Sequence, residues 1–136
     1  MRVILDSNVF ISALISSASP PGSIYRAWRE KRFTLVTSHT QVAELRRASR
    51  YPKLRKVVPS REFGALLNRL HGAVILSRLP KIDVSKDPGD NYLLAMAAVA
   101  EADFLVTGDA RHLLQLLKVG HTRILAPGAF LRLLKN

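Results

Sequence analysis

Short, nearly continuous apolar runs alternate along this chain with stretches whose apolar positions recur at helical spacing. Arg2-Val-Ile-Leu-Asp6 is almost wholly apolar and ends in an acid, the pattern of a buried parallel strand. Asn8 to Ile15 predicts a helix, closed by the breaker Ser16-Ser-Ala-Ser-Pro-Pro-Gly22. Ser23 to Lys31 predicts a second helix, with Ile24, Ala27 and Trp28 on one face, and Phe33 to Thr37 a second strand. Ser38-His-Thr-Gln41 fits a capping box, so a helix is expected through Glu44 to about Arg50. Pro52 breaks it before a short helical turn to Val58. Ser60 to His71 predicts a helix ended by Gly72, and Ala73 to Leu76 a third strand. Asp87-Pro-Gly-Asp90 puts an Asp at a cap, Pro at the first helical position and a second Asp in the first turn of a helix reaching about Ala102. Phe104 to Thr107 then predicts a strand, Arg111 to Leu117 a helix, Thr122 to Leu125 a strand and Pro127 to Lys135 a final helix.

Strands alternating with helices imply parallel crossovers. The expected fold is therefore α/β, a three-layer α/β/α sandwich around a central, mostly parallel sheet of about five strands. Ligands of such sheets bind outside the carboxyl ends of the strands. A length of 136 residues suits one domain spanning 1–136. The 48% hydrophobic content excludes a disordered chain. Zero cysteines exclude a disulfide scaffold, a zinc ribbon, an iron–sulfur site and a thiol nucleophile. The longest strictly apolar run, Leu93 to Ala100, is too short to span a bilayer, and Asp6 interrupts any signal-peptide pattern at the start. A soluble, cytoplasmic protein is expected.

Charge changes the picture. Lys and Arg number 21 against 10 Asp and Glu, a formal net charge of +11. Such a surface attracts polyanions, and counterion release supplies non-specific affinity for nucleic acid. An acidic protein partner or simple solubility is the plainer reading. Arg46, Arg47, Arg50, Lys53, Arg55, Lys56 and Arg61 cluster near Glu44, and Arg26, Arg29, Lys31 and Arg32 form a second group. Each group is either a solvated helical face or a phosphate-contact surface.

The acids are placed unevenly. Asp6 ends the first strand, Asp109 follows the strand ending at Thr107, Asp87 and Asp90 open a helix, and Glu44 lies in the helix after the second strand. In a parallel sheet these five converge at the carboxyl edge, while Glu30, Glu62, Asp83, Glu101 and Asp103 fall elsewhere. Clustered carboxylates need a cation, and an oxygen-only donor set favours Mg²⁺ or Mn²⁺. One or two such ions support in-line displacement at a phosphodiester. Taken singly, each acid has an ordinary role: Asp87 and Asp109 as helix caps, Asp90 facing a helix dipole, Glu44 paired with Arg47. Asp6 is hardest to explain that way, because an acid at the buried end of a strand is costly without a partner. His39, His71, His112 and His121 show no ligand spacing, although His39 or His112 could border the site. No GxSxG, Walker or GxGxxG motif is present, and no aromatic stacking platform is evident.

Four fragments in order, Val3-Ile-Leu-Asp-Ser-Asn8, Gln41-Val-Ala-Glu-Leu45, Asp87-Pro-Gly-Asp-Asn91 before Leu93-Leu-Ala95, and Val106-Thr-Gly-Asp109 before His112-Leu-Leu114, resemble the PIN-domain ribonucleases. The resemblance is closer to the VapC-like toxins of toxin–antitoxin pairs and covers nearly the whole chain. It implies a single PIN-like nuclease domain that hydrolyses RNA with Mg²⁺ or Mn²⁺. Asp6, Glu44, Asp90 and Asp109 would be the catalytic, metal-binding acids. Asn8 and Thr107 would be polar supports, and Asp87 a cap or a more distant support. Arg46, Arg47, Arg50 and Lys53 would contact RNA phosphates. A cognate antitoxin and a homodimer are implied partners. Alternatives are a PIN nuclease of RNA processing without an antitoxin, a non-catalytic RNA-binding module, and a phosphatase with an aspartyl nucleophile. The last commonly uses a second Asp two residues on, where this chain has Asn8.

Overall fold

A computed structural model of the chain describes residues 1–82 and 88–135, with Pro88 and Gly89 described by their backbone alone. In chain order the elements are β1 (Arg2–Leu5), α1 (Ser7–Ile15), α2 (Pro20–Arg29), β2 (Thr34–Ser38), α3 (His39–Ala48), α4 (Pro52–Arg55) and α5 (Ser60–Arg69). A 3₁₀ turn (Leu70–Gly72) leads to β3 (Val74–Leu76) and α6 (Pro88–Ala100). Then come β4 (Phe104–Val106), α7 (Leu113–Leu116), β5 (Lys118–Val119), β6 (Thr122–Leu125) and α8 (Pro127–Lys135).

The strands form one sheet in the order β3-β2-β1-β4-β6-β5. Every pairing is parallel except β5 with β6. The expected α/β sandwich is therefore present, with six strands rather than about five. The extra strand is the two-residue β5, which returns as a hairpin through Gly120 and His121, with Gly120 at φ 58°. Glycine takes that left-handed conformation without steric cost.

Strand alternation distributes the core to both faces of the sheet. Val3 and Leu5 join Phe10, Ile24, Leu35, Leu45, Leu66 and Phe130 in one cluster. Ile4 and Val36 join Leu93, Leu94, Met96, Ala97, Leu105 and Leu113 in the other. Helix α6 thus covers one face, where its alanines allow close approach, while α1, α2, α5 and α8 supply the opposite layer. Phe130 lies edge-on to Phe33 with ring centroids 5.6 Å apart.

Two helix starts differ from expectation. Helix α2 begins at Pro20, within the segment expected to be only a breaker. Ser19 caps it by accepting from the Gly22 amide at 3.2 Å, and Pro20 and Pro21 occupy first-turn positions that need no donor. Gly22 is required there, because a Cβ would stand 2.3 Å from the Ser17 carbonyl oxygen. The Ser38 capping box is half formed. Ser38 Oγ accepts from the Gln41 amide at 3.1 Å, but the Gln41 side chain turns into the core instead of back to the cap. Among the described residues, no helix is long and apolar enough to cross a membrane.

Candidate active site

The carboxyl ends of β1 and β4 open into a cleft of about 670 Å³. Its lining includes Asp6, Ser7, Asn8, Glu44, Tyr51, Asp90, Tyr92, Asp109 and His112. Of the acids singled out from sequence, Asp6, Glu44, Asp90 and Asp109 therefore reach one cavity. They come from the end of β1, the middle of α3, the first turn of α6 and the segment after β4. Asp87 lies outside the described residues.

Asp6 sits where the chain passes directly from strand to helix. Its amide continues the sheet by donating to the Val106 carbonyl at 2.9 Å, and its Oδ1 caps α1 by accepting from the Asn8 amide at 3.3 Å. Asn8 thus meets Asp6 through its backbone, while its side chain is exposed in the cleft. Asp6 Oδ2 accepts from the buried Thr107 hydroxyl at 2.7 Å. That hydroxyl also accepts from the Asp109 amide at 3.0 Å, so one threonine ties the two acidic strand ends together. Burial still pushes the Asp6 carboxyl above its ordinary value. The Thr107 and Asn8 donors oppose that rise, and the nearby Glu44 and Asp109 charges add to it.

Glu44 is held from below by a chain of polar groups. The Thr37 hydroxyl donates to Gln41 Oε1 at 2.7 Å. Gln41 Nε2 donates to the Leu5 carbonyl at 2.6 Å and to Ser7 Oγ at 3.4 Å. Ser7 Oγ lies 3.1 Å from the Tyr92 hydroxyl, which donates to Glu44 Oε1 at 2.9 Å. Because Gln41 gives its proton to Ser7, the serine proton is left for Tyr92 and the tyrosine proton for Glu44. This arrangement satisfies every member with Glu44 as the terminal acceptor. The ordinary reading of Glu44, an ion pair with Arg47, is replaced by this contact. Burial, reinforced by the acidic neighbours, pushes the Tyr92 hydroxyl well above its ordinary pKa, so it remains a donor.

Asp90, Asp109 and His112 make the tightest donor group: one ligand atom from each lies within 4.8 Å of the other two. His112 Nδ1 stands 3.4 Å from Asp109 Oδ2 and 3.9 Å from Asp90 Oδ2. Asp109 Oδ1 also accepts from the Arg111 and His112 amides at 3.1 and 3.2 Å, so it caps the turn before α7 while facing the cleft. Desolvation pushes the Asp109 carboxyl up. A hydrogen bond with the Asp90 carboxyl, the two amides and the imidazole outweigh it, leaving the group below its ordinary value.

Two carboxylates and an imidazole converging this closely suit a divalent cation, and the imidazole makes Mn²⁺ as acceptable as Mg²⁺. Asp6 and Glu44 line the same cleft outside this tightest trio. The basic residues Arg46 and Arg47 on α3, Arg50 in the turn after it and Lys53 on α4 are exposed, beside the cleft wall formed by Glu44, Ala48 and Tyr51.

Sequence reasoning missed Ser7, Gln41 and Tyr92; of the two histidines expected to border the site, His112 lines the cleft and His39 is not among its lining residues. A signal existed for Gln41: with Leu45 and Ala48 it lies at i, i+4, i+7 on the buried face of α3, where a polar residue needs a partner. His112 follows Asp109 by three residues, one helical turn, but the spacing alone matches no metal motif.

Residues 2–111 match the sequence profile of the PIN domain. The uncharacterized protein MJ1680 of Methanocaldococcus jannaschii is 32% identical over 111 residues, which cover 80% of this chain and 71% of the relative. PIN domains are generally nucleases that use a divalent metal, the chemistry for which this carboxylate cleft is suited. With the profile spanning most of the sheet and all four cleft acids, the chain belongs to the PIN-domain family.

Proposed function

We propose that the protein hydrolyses RNA phosphodiester bonds with Mg²⁺ or Mn²⁺. One observation carries the reading: four carboxylates from four distant segments line one cleft of a chain whose net charge is +11. A surface that only bound RNA would gain nothing from negative charge concentrated at its centre. Asp90 and Asp109 would hold the cation with His112 beside them, and Asp6 and Glu44 would complete the acidic set or orient water. When bound, the cation neutralises charge on the phosphate and lowers the pKa of coordinated water.

The chain's own groups do the rest. Thr107 fixes Asp6 relative to Asp109, and Tyr92 holds Glu44 in place at the cleft through its hydrogen bond. Arg46, Arg47, Arg50 and Lys53 would hold phosphates flanking the scissile one. In the reaction a water oxygen bonds to phosphorus, the ester P–O bond breaks, and the leaving oxygen departs with a proton. The toxin role, with a cognate antitoxin and a homodimeric assembly as partners, is supported by the four sequence fragments in their order. A reading frame for a small DNA-binding antitoxin beside the gene tests it, and its absence favours a role in RNA processing.

The decisive experiment compares cleavage of labelled RNA by wild type and Asp90→Asn, with Mg²⁺, with Mn²⁺ and with EDTA. Cleavage that needs metal and disappears in the variant is expected. Equal cleavage by the variant, or full cleavage in EDTA, refutes the assignment. Binding with no turnover by wild type across single-stranded and structured RNAs favours the binding-module reading.

A further inference from the structure

The wall of the cleft formed by α3 does not end at Glu44. Glu44, Ala48 and Tyr51 all line the cavity, spaced at i, i+4 and i+7 so that they stack along one helical face. Ala48 contributes only a methyl group between the two larger side chains. Helix α3 stops at Ala48, and two further turn bonds carry the spacing onward: the Arg50 amide donates to Arg47 and the Tyr51 amide to Ala48, both at 3.0 Å. The Tyr51 carbonyl then accepts from the Leu54 and Arg55 amides at 3.0 Å, so the backbone under the ring is anchored on both sides.

The ring itself is spare. Tyr51 is 53% exposed, although it is a large amphipathic side chain on an anchored backbone. Among the described residues its hydroxyl makes no hydrogen bond and its ring meets no aromatic or cationic partner. The two other tyrosines, Tyr25 and Tyr92, are both hydrogen-bonded within the fold. Around Tyr51 the charge is uniform: from Leu45 to Arg61 the chain carries seven Lys and Arg and no acid. Arg46, Arg47, Arg50, Lys53, Arg55 and Lys56 are all exposed.

We infer that Tyr51 is a nucleobase-stacking platform at the rim of the acidic cleft, selecting single-stranded polynucleotide. The inference rests on the nuclease reading and extends it from the reacting phosphate to a base beside it. A flat aromatic face set in a cationic surface is what unpaired nucleotides bind: bases stack on the ring while Lys and Arg follow the phosphates. Paired bases are stacked on one another and offer no free face. The preference for single strands thus follows from the ring, and the contribution of the cations is indifferent to strandedness.

The test uses the full chain and fluorescein-labelled oligonucleotides: a mixed-sequence single-stranded RNA, the DNA of the same sequence, and the RNA annealed to its complement. Affinity is read by anisotropy in EDTA, and cleavage of the RNA is read with Mg²⁺ or Mn²⁺. Tyr51→Ala weakens single-strand binding by about 5- to 150-fold, the range of one base–aromatic stack, with little change on duplex. Tyr51→Phe and Tyr51→Trp keep wild-type affinity, and both fold because the position is exposed. In a series of RNAs with one abasic site, a single position weakens wild type and adds nothing to Tyr51→Ala. RNA and DNA binding alike, or RNA alone, both support the platform and identify which strand it serves. A loss in Tyr51→Phe as large as in Tyr51→Ala, an equal loss on duplex, or a flat abasic series overturns it. Wild type that cleaves RNA while Tyr51→Ala matches it in affinity and KM removes the platform and leaves the nuclease reading intact. Wild type that neither binds nor cleaves any of these probes removes the nuclease reading itself.

Discussion

Replacing Tyr92 with Phe deletes one oxygen atom and breaks two contacts, the 2.9 Å bond to Glu44 Oε1 and the 3.1 Å contact with Ser7 Oγ. A hydrogen bond to a charged acceptor contributes about 1.5–3 kcal/mol and a neutral one about 0.5–1.5 kcal/mol. Water can reach the half-buried Glu44 and replace part of the loss, which brings the expected destabilisation to about 1–2 kcal/mol. For a domain of this size that is a fall in Tm of roughly 4–8 °C. The assay is thermal unfolding by circular dichroism at pH 7 in EDTA. A second signature separates this bond from general loosening. The Tyr92 hydroxyl is raised above its ordinary value of 10.0 in the fold. Its contribution is therefore complete below pH 10 and is lost as pH climbs beyond it, at up to about 1.4 kcal/mol per pH unit. Wild type should lose stability above pH 10 more steeply than Tyr92→Phe. Cleavage should also fall, by about tenfold for each 1.4 kcal/mol of misplaced Glu44. Identical melting and identical alkaline slopes would refute the proton-directed network.

Other perturbations have equally definite outcomes. In EDTA, the stability of Asp6→Asn relative to wild type should be greatest near neutral pH and diminish toward pH 3. The folded carboxyl is raised, so wild type gains stability as pH falls through that value. Parallel pH–stability curves for the two proteins would contradict this. Gln41→Leu should cost about 3 kcal/mol in urea denaturation, because it strands the buried Leu5 carbonyl and Thr37 hydroxyl, and a loss below about 1 kcal/mol would show that they find other partners. Gly22→Ala should destabilise by about 1–3 kcal/mol, since its Cβ would meet the Ser17 backbone, with unchanged melting as the contrary result. Adding Mn²⁺ to wild type should raise Tm in a concentration-dependent way, and the rise should vanish in Asp90→Asn; an equal rise in both would place the ion elsewhere.

The layer architecture and the positions of the acids were legible for a common reason. Acids at strand ends and helix starts acquire meaning once parallel pairing is inferred from the alternation of strands and helices. Asp6 after Val-Ile-Leu and Asp109 after Val-Thr-Gly had to approach each other if β1 and β4 were neighbours. What was not legible depends on partners distant in sequence. Ser7 and Tyr92 are 85 residues apart and Gln41 and Leu5 are 36 apart, so no local pattern joins them. The aromatic face of Tyr51 escaped notice because Tyr-Pro reads locally as a turn, and only the bonds following α3 bring the ring to the cleft. Strand β5 was invisible because two residues carry no period.

The Thr107–Asp6 bond closes a loop of 101 residues, and β1 finds one of its flanking strands only after β4 has been made. During synthesis the first strand therefore emerges long before the groups that make its terminal acid useful. A ribosome that has delivered Asp6 and Glu44 has delivered no complete acidic cleft, because Asp90, Asp109 and the threonine tying Asp109 to Asp6 come later. Assembly of the acidic cleft is thus withheld from incomplete chains by topology alone. The same order leaves the central strand's apolar side chains uncovered for most of translation, so a pause or truncation before Phe104 should yield an inert, aggregation-prone fragment.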